Sequence, residues 1–178
     1  TFGSTSSFTA VLTSAADGDP RLRAVHLDLD DPEAIEAAGR TILDTVGPPT
    51  GLVHNAGALP AARTESAQGH EMTMALHVLG PVLMTELLLP ALSADAGRVV
   101  FVTSGGMYTQ ALPVGDPDFE GGEYTGAVAY ARSKRGQVEL LPVLDARWAA
   151  RGVSVHAPHP GWAATPGLDS SLPRFAAA

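Results

Sequence analysis

Apolar and polar positions alternate along this chain in two rhythms, a short continuous one and a helical one. "RAVHLDL" (23–29) is a short β-rich run. "DPEAIEAAGRTILDTVG" (31–47) then places apolar residues at helical spacing, behind Asp31 as N-cap and Pro32 at the first helical position. "GLVHNAGAL" (51–59) predicts a buried strand running into a glycine turn, and "SAQGHEMTMALHVLGPVLMTELLLPALSA" (66–94) a long helix bent at Gly80-Pro81. "GRVVFVTSGGM" (97–107) again reads as an apolar strand that ends in small polar residues. A loop rich in Gly, Pro and acid (113–126) precedes a helix from about Val128 to Ala150, which Pro142 should kink or make locally irregular. "VSVHAPHPG" (153–161) supplies one more strand.

Near-continuous apolar strands alternating with helices predict an α/β fold with a doubly wound parallel sheet covered on both faces. In such sheets ligands sit outside the carboxyl ends of the strands. The polar clusters of this chain fall at those ends: Asp28, Asn55-Ala56-Gly57, Ser104-Gly105-Gly106 and His159-Pro160-Gly161. That coincidence is the first sign of function.

The length, 178 residues, suits one domain spanning 1–178, and 45% hydrophobic content marks an ordinary globular chain. A net charge of -8 without a basic stripe argues against nucleic acid or an anionic membrane as partner. The longest apolar run (80–92) is too short to span a bilayer and is broken by Thr85, Glu86 and Pro90. With no cysteine, a disulfide framework is ruled out. The first ten residues lack the features of a signal peptide, which makes the cytoplasm the default location.

Candidate chemistry begins at "YARSKRG" (130–136). Tyr130 and Lys134 are four apart, hence on one helix face one turn apart, and Lys134 is the only lysine among 11 Lys and Arg. A tyrosine becomes a usable acid/base near neutrality when an adjacent ammonium favours its phenolate. A lone lysine among arginines suggests a need for a compact point charge. Taken by itself, a Tyr-x-x-x-Lys match is more often a solvated helix face. Ser104 ends its strand where a hydroxyl would reach a substrate oxygen, but no Gly-x-Ser-x-Gly elbow makes it a nucleophile. Asn55 offers an amide that could pin neighbouring strands, and Gly57 lets a ligand approach closely. Thr165, in "HPGWAATPG" (159–167), could donate to a phosphate or amide. His26, His54, His70, His77, His156 and His159 show no paired-ligand motif, so no metal site is expected and core or crevice roles suit them better.

Taken together, "HLDLDD", "HNAG", "VVFVTSGG", "YARSK" and "HPGWAATP", in that order over about Arg23 to Pro173, resemble a short-chain dehydrogenase/reductase. The segments "SGGMYTQ" and "YARSKRGQV", with the wide gap between Ser104 and Tyr130, look most like the branch of retinol-dehydrogenase-type enzymes and dehydrogenase/reductase family member 12. The gap would hold a substrate-side loop. The resemblance implies an oxidoreductase using NAD or NADP, the choice left open, on a small-molecule alcohol or carbonyl. In it Tyr130 is the acid/base, Lys134 assists it and holds the nicotinamide ribose, and Ser104 polarises the carbonyl. Asp28 and Leu29 would contact adenine, Asn55, Ala56 and Gly57 steady the sheet beside the cofactor, and Pro160, Gly161 and Thr165 form the loop over nicotinamide and pyrophosphate. The family commonly pairs through its long helices, which implies a homo-oligomer.

Two departures qualify it. His77 stands where the family has a catalytic asparagine, and is expected to relay a proton or hold a water, with activity sensitive to pH near neutrality. No glycine-rich turn precedes Val25, so the first βαβ unit, and the far C-terminus, are expected to be missing from the chain. An intact mass of the expressed protein equal to that of these 178 residues would contradict this. Both departures motivate a rival reading, a non-catalytic module that keeps the fold for ligand binding or association. An apolar substrate crevice is expected around Met107, Tyr108 and Trp162.

Overall fold

The computed structural model describes residues 21–92 and 96–161. Helix α1 (Pro32–Thr45) starts where the sequence places it, with the Asp31 carboxylate accepting from the Glu33 N–H and Pro32 in the first turn. Strand β1 (Gly51–His54) follows. A short turn α2 (Met72–Met74) leads through a π-helical segment (Ala75–Leu79) into α3 (Gly80–Leu88). Strand β2 (Gly97–Phe101), a 3-10 turn (Gly105–Thr109), helix α4 (Gly126–Trp148) and strand β3 (Val153–His156) complete the described order.

The three strands form a parallel sheet in the order β1-β2-β3, with Leu52 opposite Val99 and Val99 opposite Val155. Alternation therefore sends Leu52, His54, Val99, Phe101, Val153 and Val155 to one side. That side is buried. Ile35, Ala38, Met84 and Leu88 pack with Leu52 from α1 and α3, while Leu144 and Trp148 of α4 pack on Val99, Phe101 and Val153. Trp148, Phe101 and Ile35 are essentially inaccessible, and burial of each such side chain contributes roughly 1.5–3 kcal/mol. On the opposite face Val53 is 62% exposed, and no helix among the described residues covers it. A parallel sheet flanked by helices is the α/β, Rossmann-like fold expected, and among the described residues the helices cover one of its faces.

Three predicted boundaries shift. The 23–29 run carries no strand, because no neighbouring strand among the described residues pairs with it. Its apolar residues Val25, Leu27 and Leu29 instead pack against the core of α1 and α3. The helix expected from residue 66 starts only at Met72, since Ser66, Gly69 and His70 close a hydrogen-bonded turn and Glu65 bridges Glu71. The irregularity expected at Gly80-Pro81 lies just before it. Pro81 has no N–H to offer the His77 carbonyl four residues back, and the Gly80 N–H reaches five back to Ala75, the π pattern. Helix α4 is continuous through Pro142.

Two glycines let backbones meet closely enough to set the site. A Cβ on Gly80 would lie 2.1 Å from the Leu29 carbonyl oxygen, and one on Gly126 only 1.8 Å from that of Pro60. The first seats the 23–29 segment on α3; the second seats the loop after β1 on the start of α4. Gly80→Ala and Gly126→Ala should each cost about 1–3 kcal/mol in urea or thermal unfolding, because backbone must move. Gly115→Ala, where a Cβ meets nothing within 4 Å, should be neutral and serves as control.

Candidate active site

Helix α4 begins with Thr125 as N-cap, its hydroxyl accepting from the Val128 N–H, and presents Tyr130 and Lys134 to the carboxyl end of β2. The Lys134 ammonium donates to the Val102 carbonyl at 2.8 Å, two residues before Ser104. It stands 5.8 Å from the Tyr130 ring centroid. The two side chains therefore stay together, as helical spacing predicts. Lys134 is only 3% exposed, and burial lowers its pKa to about 8. Tyr130 is half-buried, and its hydroxyl has no hydrogen-bond partner among the described residues.

His77 lies under this pair, fully buried. Its ring meets the Tyr130 ring edge-on, with centroids 5.3 Å apart and planes at 86°. Its Nε2 accepts from the Ala58 N–H at 3.1 Å and its Nδ1 lies 2.7 Å from the Ser133 hydroxyl. Burial first, and the Lys134 charge second, hold its pKa well below 6.5. The expected pH sensitivity near neutrality from this histidine is therefore corrected: His77 stays uncharged there, with both ring nitrogens engaged. The backbone carbonyl freed by Pro81 accepts from Gln137 Nε2.

Ser104 stands three residues beyond β2 as the N-cap of the 3-10 turn, accepting from the Gly106 N–H at 3.2 Å, and that turn packs on α4. Asn55, Ala56 and Gly57 are exposed at the end of β1, and the Asn55 amide pins no strand among the described residues. Thr103 does that work instead: its N–H and hydroxyl both donate to the Pro158 carbonyl, at 3.0 and 3.1 Å. The Val102 N–H donates to the His54 carbonyl. Pro160 and Gly161 are exposed beyond β3, with Gly161 at φ 84°. Thr165 and Trp162 lie outside the described residues. Asp28 and Leu29 are half-buried, and the Leu29 carbonyl faces Gly80. A hydrogen bond with Asp28, then burial and the Asp28 charge, raise Asp30 to about pKa 6. The apolar crevice expected of Met107 and Tyr108 is not formed by them, because Met107 turns into the core and Tyr108 is 76% exposed.

Sequence reasoning missed how the 113–126 loop is held. Buried Glu71 accepts from Thr73 Oγ1, the Met74 N–H and the Tyr124 hydroxyl, which burial and Glu71 together make a weaker acid. Asp118 accepts from the Glu71 N–H and pairs with His70, Arg63 Nε donates to the Asp118 carbonyl, and the Arg132 guanidinium lies 3.9 Å over Phe119. The pairs Glu71–Tyr124, Glu71–Asp118, His70–Asp118 and Arg63–Asp118 lie 47 to 55 residues apart in sequence, and no local pattern announces them. His54 is a core residue: its Nε2 bonds Thr85, its ring stacks on Phe101, and burial lowers its pKa to about 4. Among the described residues no group of three His, Cys, Asp or Glu could hold a metal. No helix of the described residues is long and apolar enough to cross a membrane. A cleft of about 410 Å³ beside Leu89, Leu92 and Arg151 opens at the other end of the sheet, away from Tyr130.

The family model described as "short chain dehydrogenase" matches residues 4–115, more than half of the chain. The chain belongs to that family. The chain is 39% identical over 127 residues to "Dehydrogenase/reductase SDR family member 12" of Bos taurus, covering 70% of the chain and 39% of that protein. It is 39% identical over 155 residues to a "Probable oxidoreductase" of Streptomyces antibioticus (85% and 50% covered). It is 31% identical over 148 residues to "Retinol dehydrogenase 13" of Mus musculus (83% and 44%). It thus falls in the retinol-dehydrogenase and member-12 branch, and spans half or less of these relatives' length. A short-chain dehydrogenase from Streptomyces avermitilis superposes with TM-score 0.67 at 27% identity, covering 89% of this chain and 55% of that one. A blue fluorescent protein in complex with NADPH superposes equally, at 25% identity (93% and 64%).

The buried ammonium leaves a mark on stability. Because the folded-state pKa of Lys134 lies below its unfolded value, the unfolded chain binds more protons between pH 8 and 10.5, and stability rises with pH across that window. The full difference is about 3 kcal/mol. In Lys134→Met this rise should be absent; chemical unfolding at pH 8 and pH 10.5 for both proteins checks it.

Proposed function

We propose that the protein is an NAD(P)-dependent oxidoreductase that interconverts a secondary alcohol and a carbonyl, with Tyr130 exchanging the oxygen's proton. The observation that carries this reading is the Lys134 ammonium fixed at the carboxyl end of β2, two residues from Ser104 and one helical turn from Tyr130. Family membership supports the oxidoreductase class.

The residues at the strand ends suit the nicotinamide half of a dinucleotide. Lys134 spends one of its three N–H donors on Val102, and among the described residues the other two have no acceptor, which leaves them for ribose hydroxyls. Gly57, Pro160 and Gly161 leave exposed backbone where a ligand can approach closely, with Asn55 and Ala56 beside them. Bound there, the cofactor supplies the hydride donor or acceptor. Ser104 orients the substrate oxygen, and the Tyr130 hydroxyl, without a hydrogen-bond partner among the described residues, exchanges its proton. Asp28 and Leu29 serve the adenine end, and Thr165 the pyrophosphate side.

His77, buried with both ring nitrogens engaged where the family has a catalytic asparagine, favours the second reading, a non-catalytic ligand-binding or association module. Turnover over a panel of carbonyls with NADH and NADPH separates the two, alongside cofactor fluorescence. In the full-length protein Tyr130→Phe should lower kcat on the order of 10²- to 10⁴-fold while cofactor affinity is kept. Binding without turnover in the wild type supports the second reading, and a fully active Tyr130→Phe removes the first.

A further inference from the structure

The hydrogen bonds around His77 fix its tautomer without ambiguity. Ala58 N–H is a donor, so Nε2 must be the bare, accepting nitrogen. Ser133 has one hydroxyl proton, and it is donated to the Tyr130 carbonyl at 2.9 Å. The Ser133 oxygen therefore accepts from Nδ1–H across the 2.7 Å contact. The opposite tautomer would set Nε2–H against the Ala58 N–H, two donors face to face. Both ends of the chain of bonds give the same answer.

The same residue is held a second time. Pro81 leaves the His77 carbonyl without its helical donor, and Gln137, one turn after Ser133 on α4, supplies the replacement. His77 is thus tied to two successive turns of α4 and, through Ala58, to the loop after β1. Its ring also supports the edge of the Tyr130 ring. Its side-chain polar atoms are fully engaged and buried, which leaves it no site for substrate or water.

We propose that His77 is a positioning residue, a tautomer-locked strut that sets the place of Tyr130 by gripping the Tyr130–Ser133 turn of α4 against the β1 loop. This rests on the reading of Tyr130 as the proton-exchanging group. A strut of this kind differs in chemistry from a relay. It transmits geometry, carries no proton during turnover, and leaves the pH profile of the reaction untouched.

The test uses the full-length protein with His77→Leu, His77→Gln and Ser133→Ala. Misplacing a reacting group by about 1 Å costs on the order of 10²-fold, so His77→Leu should lose roughly 10- to 100-fold in kcat with cofactor KM unchanged. His77→Gln, which keeps one donor and one acceptor, should recover part of the loss. Ser133→Ala cuts the same link with less disturbance and should add little to His77→Leu; it carries the kinetic test if His77→Leu does not fold. All active variants should keep the wild-type pH profile of kcat. Unchanged kcat in both His77→Leu and Ser133→Ala would overturn the proposal, and so would a displaced pH profile, the mark of a relay.

A measurement independent of turnover keeps the two readings apart. Nitrogen NMR of the His77 ring should show the Nδ1–H form at and above neutral pH, with the Nδ1–H signal moved by Ser133→Ala. An Nε2–H or doubly protonated ring in that range overturns the strut. Wild-type protein that binds cofactor and turns over nothing defeats the reading of Tyr130, and the ring signals alone then decide whether the strut exists.

Discussion

One buried ammonium joins the long helix to the middle strand. Lys134 gives up hydration to lie 3% exposed against the Val102 carbonyl, at the point where β2 stops and the polar turn containing Ser104 begins. A charge in such a place is costly unless hydrogen-bonded, and its lowered pKa registers that cost. An arginine's planar fork is larger and holds its proton more firmly, which gives a physical reason for the single lysine in the chain. The contact sets the rotation of α4 about its axis, and with it the direction in which Tyr130 faces.

The remaining elements fix the other degrees of freedom. Close backbone contact at Gly126 sets where α4 begins relative to the loop after β1, and the His77 bonds set how deep its second turn lies. Thr103 ties the end of β2 to the segment leaving β3. The carboxylates of Glu71 and Asp118 hold the 113–126 loop at the start of α2. Each tie joins residues far apart in sequence, so the candidate site is a property of the tertiary fold and belongs to no one element.

That distance explains what could be read from sequence. The start of α1 was legible because Asp31 and Pro32 act within one turn. The strands β1, β2 and β3 were legible as apolar runs, and Tyr130 with Lys134 followed from helical spacing alone. The 23–29 run shows the limit, since β propensity makes no strand without a paired neighbour. The disturbed helix was expected at Gly80-Pro81 from proline chemistry, but the rescue of the His77 carbonyl by Gln137 depends on a residue 60 positions away. The burial of His77, which lowers its pKa, and its partner Ser133 are invisible in local sequence. The Thr103–Pro158 tie between the segments leaving β2 and β3 carries no local sequence signal.

The most direct check on the buried charge is the nitrogen resonance of its ammonium, observed in lysine-labelled protein and assigned as the signal missing from Lys134→Arg. It should titrate near pH 8 and move when a nicotinamide dinucleotide is added. Titration near the ordinary 10.5, with no response to NADH or NADPH, would contradict both the burial of Lys134 and its place in the site.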